Sequence, residues 1–273
     1  MLDVLKPIIQ LLPEVKRPEQ VPGLQQKLLW TIAALLVFFL MGQIYPIGID
    51  PSRLVQFERL DILLGSKVGT LITAGIGPIV LASIFLQLAV GAKLLNLDLS
   101  NQEHKKTFQG LQKLLAFVLS FVEAIIYVLS GYLPASPTIA IFGSFFATQL
   151  FLILQLALGS IILLYLDEIV QKYGIGSGIS LFIAAGVSQA VLLGSLAFIP
   201  GPTGVPSGLI PAALYYILQG DIATAFWTLM PIVFMIIVFI AVVYVEGMKI
   251  ELPLSYGRAR GLGARYPIKF MYV

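Results

Sequence analysis

GTLITAGIGPIV (residues 69–80) and YGIGSGISLFI (residues 173–183) decide how this chain is read. Each lies in an apolar segment of membrane length, each is rich in glycine, and each carries branched aliphatics four residues apart. These are Ile76 and Val80 in the first stretch and Ile179 and Ile183 in the second. Lipid-facing helices do not need so much glycine, and solute-binding helices usually show polar or charged groups. Gly174 and Gly178 form a small-xxx-small pair that lets helix backbones approach closely, so packing is one reading of these glycines. The run Gly174, Gly176, Gly178 is not a dinucleotide fingerprint, which requires a preceding strand and a βα turn. The aliphatics have the plain alternative of facing lipid or core. Thr70 and Thr73 near one pair, and Ser177, Ser180, Ser188 and Gln189 near the other, point to faces that meet water. A hydrophobic constriction between wet vestibules closes by dewetting. That is the expected arrangement.

The surrounding composition sets the class. Hydrophobic residues make up 58% of the 273 positions, charged residues 11%, and mean hydropathy is +0.95. A soluble domain carries roughly 25% charged residues, so the fold class is an all-α polytopic membrane protein. There is no cysteine, hence no disulfide framework or thiolate metal site, and His104 is the only histidine. No metal or other cofactor is expected. Residues 1–12 contain Asp3 and Pro7 and lack a small-residue cleavage site, unlike a cleavable signal peptide.

Six charge-poor runs are long enough for the ~20 residues that a hydrocarbon core demands. They fall at residues 28–47, 68–91, 111–133, 139–166, 175–199 and 223–245. The fourth outruns a ~30 Å core, so it must tilt or emerge. Fourteen of the 17 basic residues fall on one side of these spans. They are Lys6, Lys16, Arg17 and Lys27; Lys93, Lys105, Lys106 and Lys113; Lys172; and Lys249, Arg258, Arg260, Arg265 and Lys269. Only Arg53, Arg59 and Lys67 fall on the other. The positive-inside rule then makes both termini of this multi-pass protein cytoplasmic.

The connections differ in kind. Residues 51–67 mix apolar and charged side chains and read as an amphipathic helix at the interface. The outer loop 200–221 opens with PGPTGVPSGLIP and offers residues 212–218 as a short apolar helix. Leu2, Leu5, Ile8, Ile9 and Leu12 form an apolar stripe suited to lying on the membrane. Glu123 is a carboxylate in mid-span, a candidate proton relay or ion ligand by default. It stands nearly alone, whereas ion-coupled transporters gather several such groups at the midplane. Asp167 and Glu168, at the cytoplasmic end of the fourth span, are expected to be solvated. In the tail 249–269, Arg258 and Arg260 sit between Gly257 and Gly261 on a flexible tip. Contact with anionic lipid and docking of a phosphate-rich or acidic partner both fit these arginines. No pair of nucleophile and base lies within the spans, so no enzyme activity is expected.

Longer runs carry a family resemblance. They are PEV (13–15), GTLITAGIGPIV (69–80), FQGLQKLL (108–115), LGSIILLYLDEIVQKYGIGSGISLFIAAGVSQ (158–189), PLSYGRARG (253–261) and YPIKF (266–270). On these the chain resembles the SecY family, the large subunit of the protein translocation channel, in its archaeal form. The resemblance implies the first half of a ten-helix inverted-repeat clamshell, with a ring of branched aliphatics at the waist of an hourglass pore. Ile76, Val80, Ile179 and Ile183 match ring positions. Phe57, Glu58, Arg59, Leu60, Asp61, Ile62, Leu63 and Leu64 match the plug helix, which places that segment deeper than the interface. Arg258 and Arg260 match a cytoplasmic loop that docks the ribosome or another translocation partner.

The implied organisation is a cytoplasmic N-terminal segment (1–27), spans one to five with the plug (28–199), the outer loop and sixth span (200–248), and a docking loop (249–273) ending before a seventh helix. The implied partners are small SecE-type and Sec-beta-type membrane subunits, the ribosome, signal-sequence-bearing polypeptides and membrane lipids. The implied activity is passive conduction of unfolded polypeptide across, and insertion of proteins into, the cytoplasmic membrane. The alternative from the residues alone is a secondary transporter or ion channel that uses Glu123.

Overall fold

In a computed structural model, residues 12–50, 69–95, 97, 101–136, 144–200, 204–254 and 264–269 are described. Contacts divide the chain into two units, Met1–Ser188 and Gln189–Val273. Among the described residues, the first unit contains four complete helices and most of a fifth. Helix α1 (Leu24–Met41) both starts and stops earlier than residues 28–47. It ends at Gly42, whose N–H still reaches Phe38 O at 3.1 Å, and Pro46 could not continue a helix.

The second span is broken. Its helix, α2, covers only Gly77–Gly91, and residues 69–76 before it are turns. Gly69 (φ 89°) and Gly75 (φ 54°) adopt left-handed backbone that favours glycine, and Pro78 sits in the first turn, where a missing N–H costs nothing. The turns are held from both sides of the chain. Leu71 N–H donates to Ile44 O (3.0 Å), and the Thr73 hydroxyl donates to Thr70 O (2.6 Å). Irregular backbone at membrane depth is tolerated when it is buried in protein. Here α4 provides the cover at Gly159, where a Cβ would overlap the Leu71 carbonyl.

Helix α3 (Gln102–Leu129) starts well before residue 111, because the polar run QEHKKT continues the same helix. Helix α4 (Phe145–Tyr173) begins later than 139 and runs beyond 166. At ~1.5 Å per residue it is about 43 Å long, so its charged last turns extend past the hydrocarbon core. Helix α5 (Gly178–Leu196) follows after a tight turn. Helix α2 packs on α3, α3 on α4, and α1 on α4. Small side chains are buried at these contacts, among them Ala82, Ala116, Ala157 and Ser160. Close backbone approach of this kind is how helices associate in lipid, where burial of apolar surface gives no net drive. Phe38 of α1 stacks on Phe182 of α5, with ring centroids 5.1 Å apart and planes 14° from parallel. At the other end, Gln155 of α4 clasps the Ile47 backbone through both its N–H and its C=O, each at 3.0 Å.

In the second unit, α6 (Leu209–Leu218) packs on α7 (Ile222–Gly247). Helix α6 starts before the expected 212, since Pro211 falls in its first turn. Asp221 caps α7: one carboxylate oxygen accepts from Thr224 N–H (3.1 Å) and the other from its hydroxyl (2.5 Å), which holds the carboxyl below its usual range. One element departs from the all-helical expectation. Strands β1 (Lys249–Leu254) and β2 (Ala264–Lys269) pair antiparallel, with Lys249 opposite Lys269 and Leu254 opposite Ala264.

Five described helices are long and apolar enough to cross a membrane: α1, α3 from His104, α4, α5 and α7. Helix α2 is shorter because the turns of residues 69–76 make up the rest of its span. The plug segment 57–64, the amphipathic stretch around it, Arg258, Arg260 and most of the N-terminal stripe lie outside the described residues.

Candidate functional site

Ile76 is the last residue of the buried turns and the N-cap of α2, and it is 5% exposed. Val80 lies one turn on, its N–H bonded to Ile76 O at 3.0 Å, so the two side chains stack on one helix face. Ile179 and Ile183 repeat the arrangement in the first turns of α5. Ile76, Val80 and Ile179 meet in one apolar cluster, with Phe38 and Phe182 among its buried members. Ile183 stands outside that cluster, 43% exposed. Two chain segments about a hundred residues apart therefore present their aliphatic pairs at helix starts, and three of the four side chains converge.

The expected wet faces divide. Ser177, Ser180 and Ser188 on α5 are exposed and Gln189 is half-buried. Thr70 and Thr73 are not on a wet face: they are 1% and 2% exposed. The Thr73 hydroxyl is spent on a backbone carbonyl within the turn, so these threonines build the break in the span rather than line a vestibule.

At the end of α4 Asp167 is buried and Glu168 half-buried, where solvated acids were expected. Asp167 accepts from the Ile179 N–H at 2.9 Å, a bond from α4 to the first turn of α5. Glu168 points to the other side. It pairs with Lys113 of α3 (2.7 Å) and Lys172 (2.8 Å), and accepts from Val15 N–H (3.1 Å). Lys113 also donates to Pro13 O (2.5 Å), Lys172 to Glu14 (2.9 Å) and to Val15 O, and Tyr173 to Lys16 O (2.8 Å). Residues 13–16, which include the PEV motif, thus form a strap from Lys113 of α3 to the last turns of α4. Only the Glu168–Lys172 spacing of four residues hinted at this; the strap's partners are too distant in sequence to be read from spacing.

Glu123 sits beside the start of α2. Tyr127 donates to its Oε1 (2.5 Å), and a Cβ at Gly77 would come within 2.9 Å of that oxygen. Its Oε2 is buried and accepts no hydrogen bond among the described residues. No group of three His, Cys, Asp or Glu side chains suited to a metal occurs among the described residues.

A sequence profile of SecY matches residues 70–273. The chain belongs to the SecY family. Protein translocase subunit SecY of Methanothermobacter thermautotrophicus is 43% identical over 98% of this chain and 58% of its own length. That of Methanocaldococcus jannaschii is 44% identical over the same shares. The chain therefore spans a little over half the length of the curated SecY relatives it matches. Among solved structures, a protein-conducting channel superposes with a TM-score of 0.76 and 43% identity, over 97% of this chain and 57% of the other. Sec61 in a canine ribosome–channel complex from the endoplasmic reticulum gives the same score and identity over 97% and 58%. A further SecY structure, at 0.76 and 42%, is one whose plug domain stabilises the closed state and maintains a membrane seal. The SecY match includes the second glycine-rich stretch entirely and all but one residue of the first. The fold is accordingly that of part of a multi-pass SecY-type membrane channel subunit.

Proposed function

We propose that this chain supplies part of the wall of a protein-conducting channel, a passive conduit through which unfolded polypeptide crosses or enters the cytoplasmic membrane. Ile76, Val80, Ile179 and Ile183 form an arc of its pore ring. Side chains without hydrogen-bonding demands seal around any passing sequence without binding it, and water is expelled from so apolar a constriction. Residues 57–64 act as the plug, and Arg258 and Arg260 dock a ribosome or another cytoplasmic partner, which provides the driving energy. Small SecE-type and Sec-beta-type subunits complete the complex. The chain performs no catalysis of its own.

The observation that carries this reading is the convergence of Ile76, Val80 and Ile179 on one cluster, with Ile183 exposed beside it, in a chain of SecY fold. Because the chain has no native cysteine, Ile76→Cys and Ile183→Cys report cleanly in the assembled channel. Both are expected to crosslink to an arrested translocating polypeptide, while lipid-facing cysteines on α7 do not. Absence of crosslinks from both ring positions, with the controls behaving normally, defeats the ring assignment. The ion-coupled alternative draws on the unpaired Oε2 of Glu123. It predicts proteoliposome ion flux that Glu123→Gln abolishes; the channel reading predicts none.

A further inference from the structure

We infer that Asp167 is a positioning residue for the pore ring: from α4, its carboxylate holds the first turn of α5 and so sets where Ile179 stands. The inference rests on the ring reading above. The first turns of a helix carry backbone N–H groups without intrahelical partners, and negative charge is favoured there. Helix α5 has no acidic residue in its own first turn. Asp167, twelve residues upstream and 6% exposed, supplies one from the neighbouring helix. Its Oδ1 accepts from Ile179 N–H at 2.9 Å. Its Oδ2 accepts from the Gln171 side chain at 2.8 Å, which fixes the rotamer.

The junction leaves the carboxylate little freedom. A Cβ at Gly178 would lie 2.6 Å from the Asp167 Cα, so only glycine admits so close an approach of α5 to α4. On the opposite side of the turn, the Thr31 hydroxyl of α1 accepts from Ile175 N–H (3.1 Å) and donates to Lys27 O (2.8 Å). Gly174 is packed against that hydroxyl, its notional Cβ 2.9 Å away. The connection from α4 to α5 is therefore pinned at two points, by Thr31 of α1 and by Asp167 of α4 itself. The Asp167 bond is the one made to a candidate ring residue itself.

The test uses the complete channel complex with an arrested polypeptide, and a cysteine placed at Ile179 or, as a reference, at Ile76. Asp167→Ala is expected to lower crosslinking from position 179 about fivefold, the scale of losing one helix cap, and to leave position 76 unchanged. Ser177 occupies the N-cap position of α5, its carbonyl accepting from Leu181 N–H at 3.1 Å. Adding Ser177→Asp to Asp167→Ala supplies a cap from within α5 and should restore the crosslink. A residue that only filled space in the core would not be replaced in this way. Unchanged crosslinking in Asp167→Ala, or a loss that Ser177→Asp does not repair, overturns the inference. Absence of the 179 crosslink in the unsubstituted background overturns it together with the ring assignment for that residue. Should Asp167→Ala fail to assemble, Asp167→Asn keeps the shape and one acceptor. It should show a partial loss at 179 alone, and no loss there is equally fatal.

Discussion

Gly159 shows how one residue without a side chain shapes the site. Its Cα faces the Leu71 carbonyl so closely that any Cβ would overlap it. Helix α4 thereby covers the turns that end in Ile76, and those turns can remain irregular inside the protein. Gly159→Ala is expected to destabilise the fold by about 1–3 kcal/mol, the usual cost of overpacking, because backbone rather than a movable side chain must give way. Thermal unfolding in detergent checks this, with Gly91→Ala as a control where a Cβ meets nothing. The family motifs containing these glycines were legible in the sequence, but the use of each was not. Gly174 and Gly178 read as a packing pair, and both are indeed packed, one against Thr31 and the other against Asp167. Gly159 carried no signal of its own, since its partner lies in another span.

Helix α4 is an element with two working sides. Asp167 engages the start of α5, and the next residue, Glu168, engages Lys113, Lys172 and the strap at residues 13–16. Adjacent positions on a helix point about 100° apart, which is why two neighbouring carboxylates serve different elements. Glu168→Gln replaces one acceptor with an amide NH2, leaving a lysine facing a donor. Hydrogen bonds to charged groups contribute roughly 1.5–3 kcal/mol each. The Val15 amide should exchange with deuterium at least about tenfold faster in Glu168→Gln, the Ile179 amide being unaffected. Equal exchange at Val15 would show that the strap stays in place without the carboxylate. The sequence indicated where α4 was long enough to emerge from the membrane, since length follows from the apolar run. It indicated solvated acids there, since exposure was assigned from position in the span. The strap and α5 remove that exposure, and both come from elsewhere in the chain.

At the scale of the whole molecule, β1 pairs with β2, and Arg258 and Arg260 fall in the sequence between the two strands, outside the described residues. Reversing both to Glu should weaken ribosome binding by the assembled channel, with a difference from wild type that shrinks as salt rises, because exposed charges are screened beyond about 10 Å at 0.1 M. Co-sedimentation across a salt series measures it. Equal affinity at every salt concentration leaves the lipid contact as the role of these arginines. The chain's own composition determined that it is a polytopic membrane protein and roughly where it spans. Hydrophobicity and charge act additively along a chain, so they can be summed locally. Only the tertiary structure decided that the second span is a turn segment followed by α2, that Thr70 and Thr73 are buried, and that Asp167 and Glu168 are clasped. Each of these depends on a contact made across the fold, as between Val15 and Glu168, 153 residues apart. Such contacts leave no periodicity in the sequence, because the partner that satisfies a buried polar group is chosen by how the helices pack.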